Sequence, residues 1–242
     1  MPNYQGVWDI TTQFQYAAEW PVPPAAVGIF AGGFDSSATV DVIQEINIYS
    51  AGNATDFGNL SAAKMEMASV ASSTRGVFGG GTTDGGTGGV INVMEYITLA
   101  NTGNVTDFGD LSAAARNSSG MGSSTRGIFS GGFTSGNIDV MEYITIANTG
   151  NVTDFGNLLA TNSRLSATSS STRGLIAGGA SASNVIQYVT IASTGNASDF
   201  GDLTAGRDDL AACSSATRGV FGGGSTGSKS NVLDYVTIAS TG

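Results

Sequence analysis

Gly76-Val77-Phe78-Gly79-Gly80 is the stretch on which the fold turns, because the chain contains it five times in altered form. The other copies are Gly28-Ile29-Phe30-Ala31-Gly32-Gly33, Gly127-Ile128-Phe129-Ser130-Gly131-Gly132, Gly174-Leu175-Ile176-Ala177-Gly178-Gly179 and Gly219-Val220-Phe221-Gly222-Gly223. Their leading glycines are 48, 51, 47 and 45 residues apart. A second marker, Asp-Phe-Gly, starts at Asp56, Asp107, Asp154 and Asp199, at intervals of 51, 47 and 45. The two markers keep step, so a whole unit is duplicated rather than one motif. A period of this length is the mark of a repeat architecture.

Outward from the Gly-rich run, each unit reads as four short strands. A small-residue strand such as Met67-Ala68-Ser69-Val70-Ala71 precedes a Ser-Thr-Arg-Gly turn (Ser73 to Gly76) and the Gly-Gly strand. A variable Gly/Ser loop leads into the most apolar strand, for example Val140-Met141-Glu142-Tyr143-Ile144-Thr145-Ile146. Its alternation and its β-branched and aromatic residues favour a pleated, half-buried strand. Asn148-Thr149-Gly150-Asn151 then supplies residues that tolerate positive φ, and a fourth strand runs through Val152-Thr153-Asp154-Phe155.

Four strands per unit at this period are the dimensions of a propeller blade. The expectation is an all-β, five-bladed β-propeller of four-stranded antiparallel blades over residues 25–242, preceded by a segment, 1–24. The fifth unit reaches Thr241-Gly242 without a fourth strand, while residues 7–14 alternate in pattern. Those residues are expected to add the outer strand of the last blade and so close the ring, which protects its edge. The alternative is that residues 1–22 form a separate arm for assembly and leave the last blade three-stranded.

Composition restricts function. The formal charge is −10, with basic residues dispersed, so a phosphate backbone is repelled and nucleic acid is not an expected partner. No apolar run is long enough to span a bilayer, so membrane insertion is not expected either. The start, Met1-Pro2-Asn3-Tyr4-Gln5, has neither the basic nor the apolar region of a secretory signal. Asn53, Asn104, Asn151 and Asn196 therefore read as turn residues rather than glycosylation sites. Cys213 is the one cysteine, in an apolar run, and reads as a small core residue.

The chain has no histidine, which removes the Ser-His-Asp triad and most transition-metal sites. Asp-Phe-Gly resembles the metal-binding motif of kinases but recurs four times without a nucleotide loop in the required context or His-Arg-Asp, so it reads as structure. Its aspartates, Asp56, Asp107, Asp154 and Asp199, are expected to accept turn hydrogen bonds while the phenylalanines pack between blades. The glycines around Thr82-Thr83-Asp84 lack the Lys-Ser/Thr pair of a phosphate loop. Arg75, Arg126, Arg173 and Arg218 recur at one place, either as an anion-binding ring or, the favoured reading, pairing with carboxylates such as Asp107 and Asp154 to tie blades together. Calcium has no EF-hand spacing to bind, and no cofactor is expected. The acids peculiar to single blades, Asp35, Asp41, Glu66, Asp84, Asp208 and Asp209, offer no pair of the kind a glycosidase needs.

The order of basic residue, small-residue strand, Gly-Gly strand and tyrosine strand resembles kelch repeats. The basic residues are Lys64, Arg116, Arg164 and Arg207, and the tyrosines Tyr96, Tyr143, Tyr188 and Tyr235. Phe57, Phe108, Phe155 and Phe200 stand where kelch repeats usually carry tryptophan, and Glu45 replaces the first tyrosine. The stretch from Tyr143 to Gly156 is similar to kelch-like repeats in virion and tail-fibre proteins of tailed phages, notably marine ones. The opening, Gly6-Val7-Trp8 to Trp20-Pro21, is also similar to the openings of such proteins. The resemblance covers about residues 25–242. It implies a non-enzymatic structural or receptor-contacting part of a phage particle, with other virion proteins and a host-surface glycan or protein as partners. A free carbohydrate-binding lectin and a propeller hydrolase are the other classes.

An up-and-down blade puts the Ser-Thr-Arg-Gly and Thr-Gly-Asn turns on one uniform face. The opposite face then carries the loops that differ, at 34–39, 82–89, 133–137, 180–183 and 225–230. Variable loops on a repeated scaffold are natural recognition elements. Their candidates are Asp35, Ser36, Thr82, Thr83, Asp84, Thr134, Ser135, Asn137, Ser181, Ser183, Ser225, Thr226 and Lys229.

Overall fold

The computed structural model describes residues 26–84 and 88–241. Those residues are all-β and form a five-bladed β-propeller of small antiparallel sheets, as the repeat predicts. Blade 1 holds β1 (Val27–Ala31), β2 (Val42–Asn47) and β3 (Thr55–Asn59). Blade 2 holds β4 (Ala68–Ala71), β5 (Arg75–Gly79), β6 (Val93–Thr98) and β7 (Thr106–Asp110). Blade 3 holds β8 (Ser119–Gly122), β9 (Arg126–Ser130), β10 (Ile138–Thr145) and β11 (Thr153–Asn162). Blade 4 holds β12 (Ser166–Ser169), β13 (Arg173–Ala177), β14 (Val185–Thr190) and β15 (Ser198–Asp202). Blade 5 holds β16 (Ala211–Ser214), β17 (Arg218–Gly222) and β18 (Leu233–Thr237). Within every blade the strands pair in chain order. The middle three blades thus have four strands and the first and last have three among the described residues. The closing strand expected at residues 7–14 lies outside them, as does the whole 1–24 segment.

The small-residue strands β4, β8, β12 and β16 are innermost and touch one another in series. Their approach explains their composition. A Cβ on Gly120 of β8 would lie 2.0 Å from the Ser69 carbonyl oxygen of β4, and one on Gly127 would lie 2.4 Å from the Val70 side chain. Ser169 of β12 donates to the Gly122 carbonyl at 2.7 Å, and Ser214 of β16 donates to the Ser169 carbonyl at 2.7 Å. Val70, Met121 and Thr168 are buried between blades at matching positions. Cys213 has the same place on β16 but is exposed, contrary to the core role expected of it, because no further blade lies against it among the described residues.

Four apolar clusters fill the four joints between consecutive blades. At the heart of each sits the phenylalanine of Asp-Phe-Gly: Phe57, Phe108, Phe155 and Phe200, all buried. The pairing of third and fourth strands slips there. Met94 faces Gly109 and Glu95 faces Asp107, which leaves Phe108 as the extra residue of a β-bulge. The same slip recurs in blades 1, 3 and 4. The bulge aims the ring inward, where it meets the tyrosine of the preceding strand edge-on. Centroids are 6.0 Å apart for Tyr96–Phe108, 6.1 Å for Tyr143–Phe155 and 6.2 Å for Tyr188–Phe200. Burying each phenylalanine is worth about 1.5–3 kcal/mol.

The glycine of Asp-Phe-Gly has a different task. The Thr-Gly-Asn turn of each following blade lies directly over it. Gly103, Gly150 and Gly195 donate their amides to the carbonyls of Phe57, Phe108 and Phe155, each at 2.7 Å. The Asn104, Asn151 and Asn196 side chains accept from the amides of Asn59, Asp110 and Asn157, each at 3.0 Å. These asparagines are turn residues, as expected, and their amide oxygens bind blade to blade. A Cβ on Gly109 would lie 2.4 Å from the Gly150 carbonyl oxygen, and its φ is +139°. Gly109→Ala is therefore expected to cost more than about 1 kcal/mol, and Gly136→Ala, with open space around it, far less. Urea unfolding midpoints compare the two.

Candidate functional site

The repeated residues are engaged in the scaffold. Arg75, Arg126, Arg173 and Arg218 lie over the rings of Tyr96, Tyr143, Tyr188 and Tyr235, at 4.1, 4.3, 4.5 and 4.6 Å from the centroids. The first three also donate to the next blade, to the carbonyls of Ile146, Ile191 and Ile238, each at 2.9 Å. They tie blades together, but the partners expected for them are wrong. No ion pair joins these arginines to a carboxylate among the described residues. Asp56, Asp107, Asp154 and Asp199 are exposed, and their carboxylates accept none of the turn hydrogen bonds expected of them. The neighbouring asparagines take that role, because the bulge turns phenylalanine inward and leaves aspartate facing water.

A second recurring position, one residue before the tyrosine, holds the incoming chain from the previous blade. Glu95 pairs with Lys64 at 2.7 Å, and both are buried. Glu142 accepts from the Ser112 amide at 3.3 Å, and Gln187 accepts from the Leu159 amide at 2.9 Å. Asp234 accepts from Thr204 at 2.6 Å and pairs closely with Arg207, whose side chain is fully buried. The four basic residues of the repeat thus divide. Lys64 and Arg207 occupy one structural place inside the joint, whereas Arg116 and Arg164 reach outward to Glu66 and to Asp208 and Asp209.

The face opposite the uniform turns carries the variable loops. Several of their candidates serve the loop itself. Asp35 accepts from the amides of Ser37 and Ala38 and from the Ser37 hydroxyl. The Ala38 amide first, then the Ser37 hydroxyl and amide, hold its carboxyl below the usual carboxylate range. A depressed folded pKa stabilises this turn above the ordinary range, and that contribution is lost as pH falls through the depressed value. Ser36 and Ser181 adopt positive φ. Thr82 is fully buried and hydrogen-bonds Asp84, so it is not a surface contact as expected. The Thr83 carbonyl accepts from Thr39 of blade 1. Thr134 and Ser183 bond within their loops, and Asn137 accepts from Ser163. Ser225 receives the Gly227 amide, while Ser135, Thr226 and Lys229 are exposed.

The most concentrated feature on this face lies at its centre. Glu66, Asn117, Arg164 and Asp209 stand one in each blade-to-blade link, ten residues after each Asp-Phe-Gly aspartate. All four are in the left-handed region, at φ of 60°, 54°, 55° and 52°. Asn117 donates its amide to the Glu66 carbonyl (3.0 Å), Arg164 to that of Asn117 (2.9 Å) and Asp209 to that of Arg164 (3.3 Å). This backbone chain arcs around the propeller axis and holds a conformation that non-glycine residues adopt at a cost of about 1–3 kcal/mol. With Met67, Ser118, Leu165 and Leu210 these residues line an open pocket of about 220 Å³. Its wall offers carboxylates, an amide and a guanidinium side by side.

Glu66, Asp209, Arg116 and Arg164 stand out in the sequence, but nothing local there brings them together or marks Asn117. The signal was present: one position of an otherwise faithful repeat carries a different polar residue in each copy. Backbone strain held beside a pocket is characteristic of functional sites. Comparison with known proteins found no matching protein-family model and no significant match among curated proteins.

Equivalent positions should respond differently to the same change. Glu95→Gln strips the partner from a buried ammonium and is expected to cost about 3–5 kcal/mol. Glu142→Gln keeps an acceptor for an amide, as Gln187 does naturally, and should change stability by less than about 1 kcal/mol. Thermal or urea unfolding of the two variants decides.

Proposed function

We propose that this protein is a non-enzymatic structural or adhesion component of a tailed-phage virion, part of a tail fibre or surface fibre. Its propeller docks other virion proteins and contacts the host surface. The observation that carries this reading is the division between repeated and unrepeated residues. The repeated arginines, tyrosines, phenylalanines and asparagines hold blades together. The unrepeated polar residues gather on one face, around the strained mouth at Glu66, Asn117, Arg164 and Asp209. The similarity of the repeats to those of phage virion proteins supports the setting.

The mouth suits a hydroxyl-rich ligand. Carboxylates accept, the guanidinium donates and the Asn117 amide does both, which is the complement of a sugar's hydroxyl groups. A host-surface glycan is therefore the ligand class this reading favours. The same mouth supports a second reading, a free carbohydrate-binding lectin, which differs in whether the chain resides in a particle.

Two measurements test this. The chain should copurify with assembled particles at fixed copy number, and its absence from particles would leave the lectin reading. On a glycan array the isolated chain should bind without turnover. Arg164→Ala with Asn117→Gly, which removes both side chains and keeps the left-handed backbone unstrained, should weaken that binding at least tenfold while leaving the unfolding midpoint nearly unchanged. Binding that survives those changes but moves on exchanging loop 82–89 would relocate the contact to the loops.

A further inference from the structure

Blades 2 and 3 share one sequence in their third strands, Val93-Met94-Glu95-Tyr96-Ile97-Thr98 and Val140-Met141-Glu142-Tyr143-Ile144-Thr145. The links that lead into these blades are also alike, Leu60-Ser61-Ala62-Ala63-Lys64 and Leu111-Ser112-Ala113-Ala114-Ala115. Lysine against alanine is the one difference in these stretches, so the second joint is a natural Lys→Ala version of the first. The two residues hold the same place. The Lys64 and Ala115 carbonyls accept the amides of Gly33 and Gly81 at 2.9 and 2.8 Å. Those of Asn162 and Arg207 accept Gly132 and Gly179 in the same way, each at 2.9 Å.

Three joints match this place to the residue before the tyrosine. Lys64 goes with Glu95, the neutral Asn162 with Gln187, and Arg207 with Asp234. The joint between blades 2 and 3 sets Ala115 with Glu142. Glu142 is 9% exposed, and its two oxygens share the Ser112 amide at 3.3 and 3.4 Å, beyond the usual length of such a bond. No ion pair reaches it among the described residues. A carboxylate accepts about four hydrogen bonds, and a buried charge without its counter-charge is costly. Glu142 and Ala115 line a pocket of about 200 Å³, much of whose remaining wall is apolar, from Leu111, Ala113, Phe129, Ile138 and Val140. Ser112 and Ala113 of the same wall are exposed, so the pocket is reached from solvent.

We propose that this pocket binds a primary alkylammonium, whose ammonium pairs with Glu142 and whose carbon stem lies along the apolar wall. The ligand class follows from the neighbouring joint, where the protein itself places such a group. There the Lys64 ammonium meets Glu95 at 2.7 Å, with both side chains buried. Ala115 removes all of lysine beyond Cβ from the second joint and leaves the acceptor in place. A guanidinium fits less well, because in this repeat it is matched to the shorter aspartate, in Arg207–Asp234. A hard metal ion takes about six oxygen ligands or more, whereas this wall offers one carboxylate among mostly apolar residues. The proposal does not rest on the proposed function, whose mouth at Glu66, Asn117, Arg164 and Asp209 is a separate pocket that shares only Ser118 with this one.

The probe is n-propylamine, which carries the atoms of lysine beyond Cβ, titrated calorimetrically into the whole chain at neutral pH, where it is an ammonium. It should bind saturably at a single site. n-Propanol, of equal size and without charge, should bind at least about tenfold more weakly. Glu142→Gln, which keeps an acceptor for the Ser112 amide, should weaken amine binding by a similar factor. Ala115→Lys should supply the group from within, abolish the binding and raise the unfolding midpoint. Comparison with Nα-acetyl-lysine methylamide separates the two sources of such a group. Tighter binding than n-propylamine assigns it to a lysine side chain of another protein, and weaker binding assigns it to a free amine. Absence of saturable binding by the unaltered chain, equal binding of amine and alcohol, or amine binding retained by Ala115→Lys would each overturn the proposal. A lowered unfolding midpoint for Ala115→Lys would also count against it, since the pocket then does not accept the group.

Discussion

Everything in this propeller depends on how closely one blade's backbone approaches the next. Neighbouring inner strands come near enough that a single added Cβ would overlap a carbonyl, and the outer turns sit on glycines at similar distance. Such contact satisfies backbone groups that would otherwise be buried and unpaired. It also sets the composition: small residues at the centre, glycine wherever a turn lies over a strand, and few charges in the joints. The chain is rich in glycine because its blades touch through main chain.

On that framework the side chains add direction. The β-bulge at each Asp-Phe-Gly turns a phenylalanine into the joint and stacks it edge-on against a tyrosine. The other side of that tyrosine is covered by an arginine whose guanidinium also reaches the following blade. One aromatic residue thus connects the strand before it, the bulge after it and the neighbouring blade. Edge-to-face pairs and cation–π contacts each add about 0.5–1.5 kcal/mol beyond burial, so the repeat accumulates stability joint by joint. The buried pairs Lys64–Glu95 and Arg207–Asp234 are exceptions, present in two joints among the described residues, and they distinguish blades that are otherwise alike.

The same repetition explains why recognition gathers in one place. A residue present in every blade is constrained by the joint it serves. A residue free to differ lies where no joint needs it, and around the axis the four links bring such residues within one pocket. Their left-handed conformations are held by a chain of main-chain hydrogen bonds, so side-chain identity can vary without loss of the wall.

The period, the strand content and the number of blades were legible in the sequence, because identical spacing of Gly-Gly and Asp-Phe-Gly leaves one architecture that buries every copy alike. The separation of a uniform from a variable face was legible for the same reason. The partners of the repeated side chains were not. Whether Arg126 meets an aspartate, a tyrosine or a carbonyl depends on a bulge of one residue, and pattern alone does not reveal which way the aspartate then points. Nor could sequence place Glu66, Asn117, Arg164 and Asp209 together, since they lie about fifty residues apart and meet only because the blades turn about a common axis. Local pattern determined the blade; the close approach of main chain between blades decided what each residue touches.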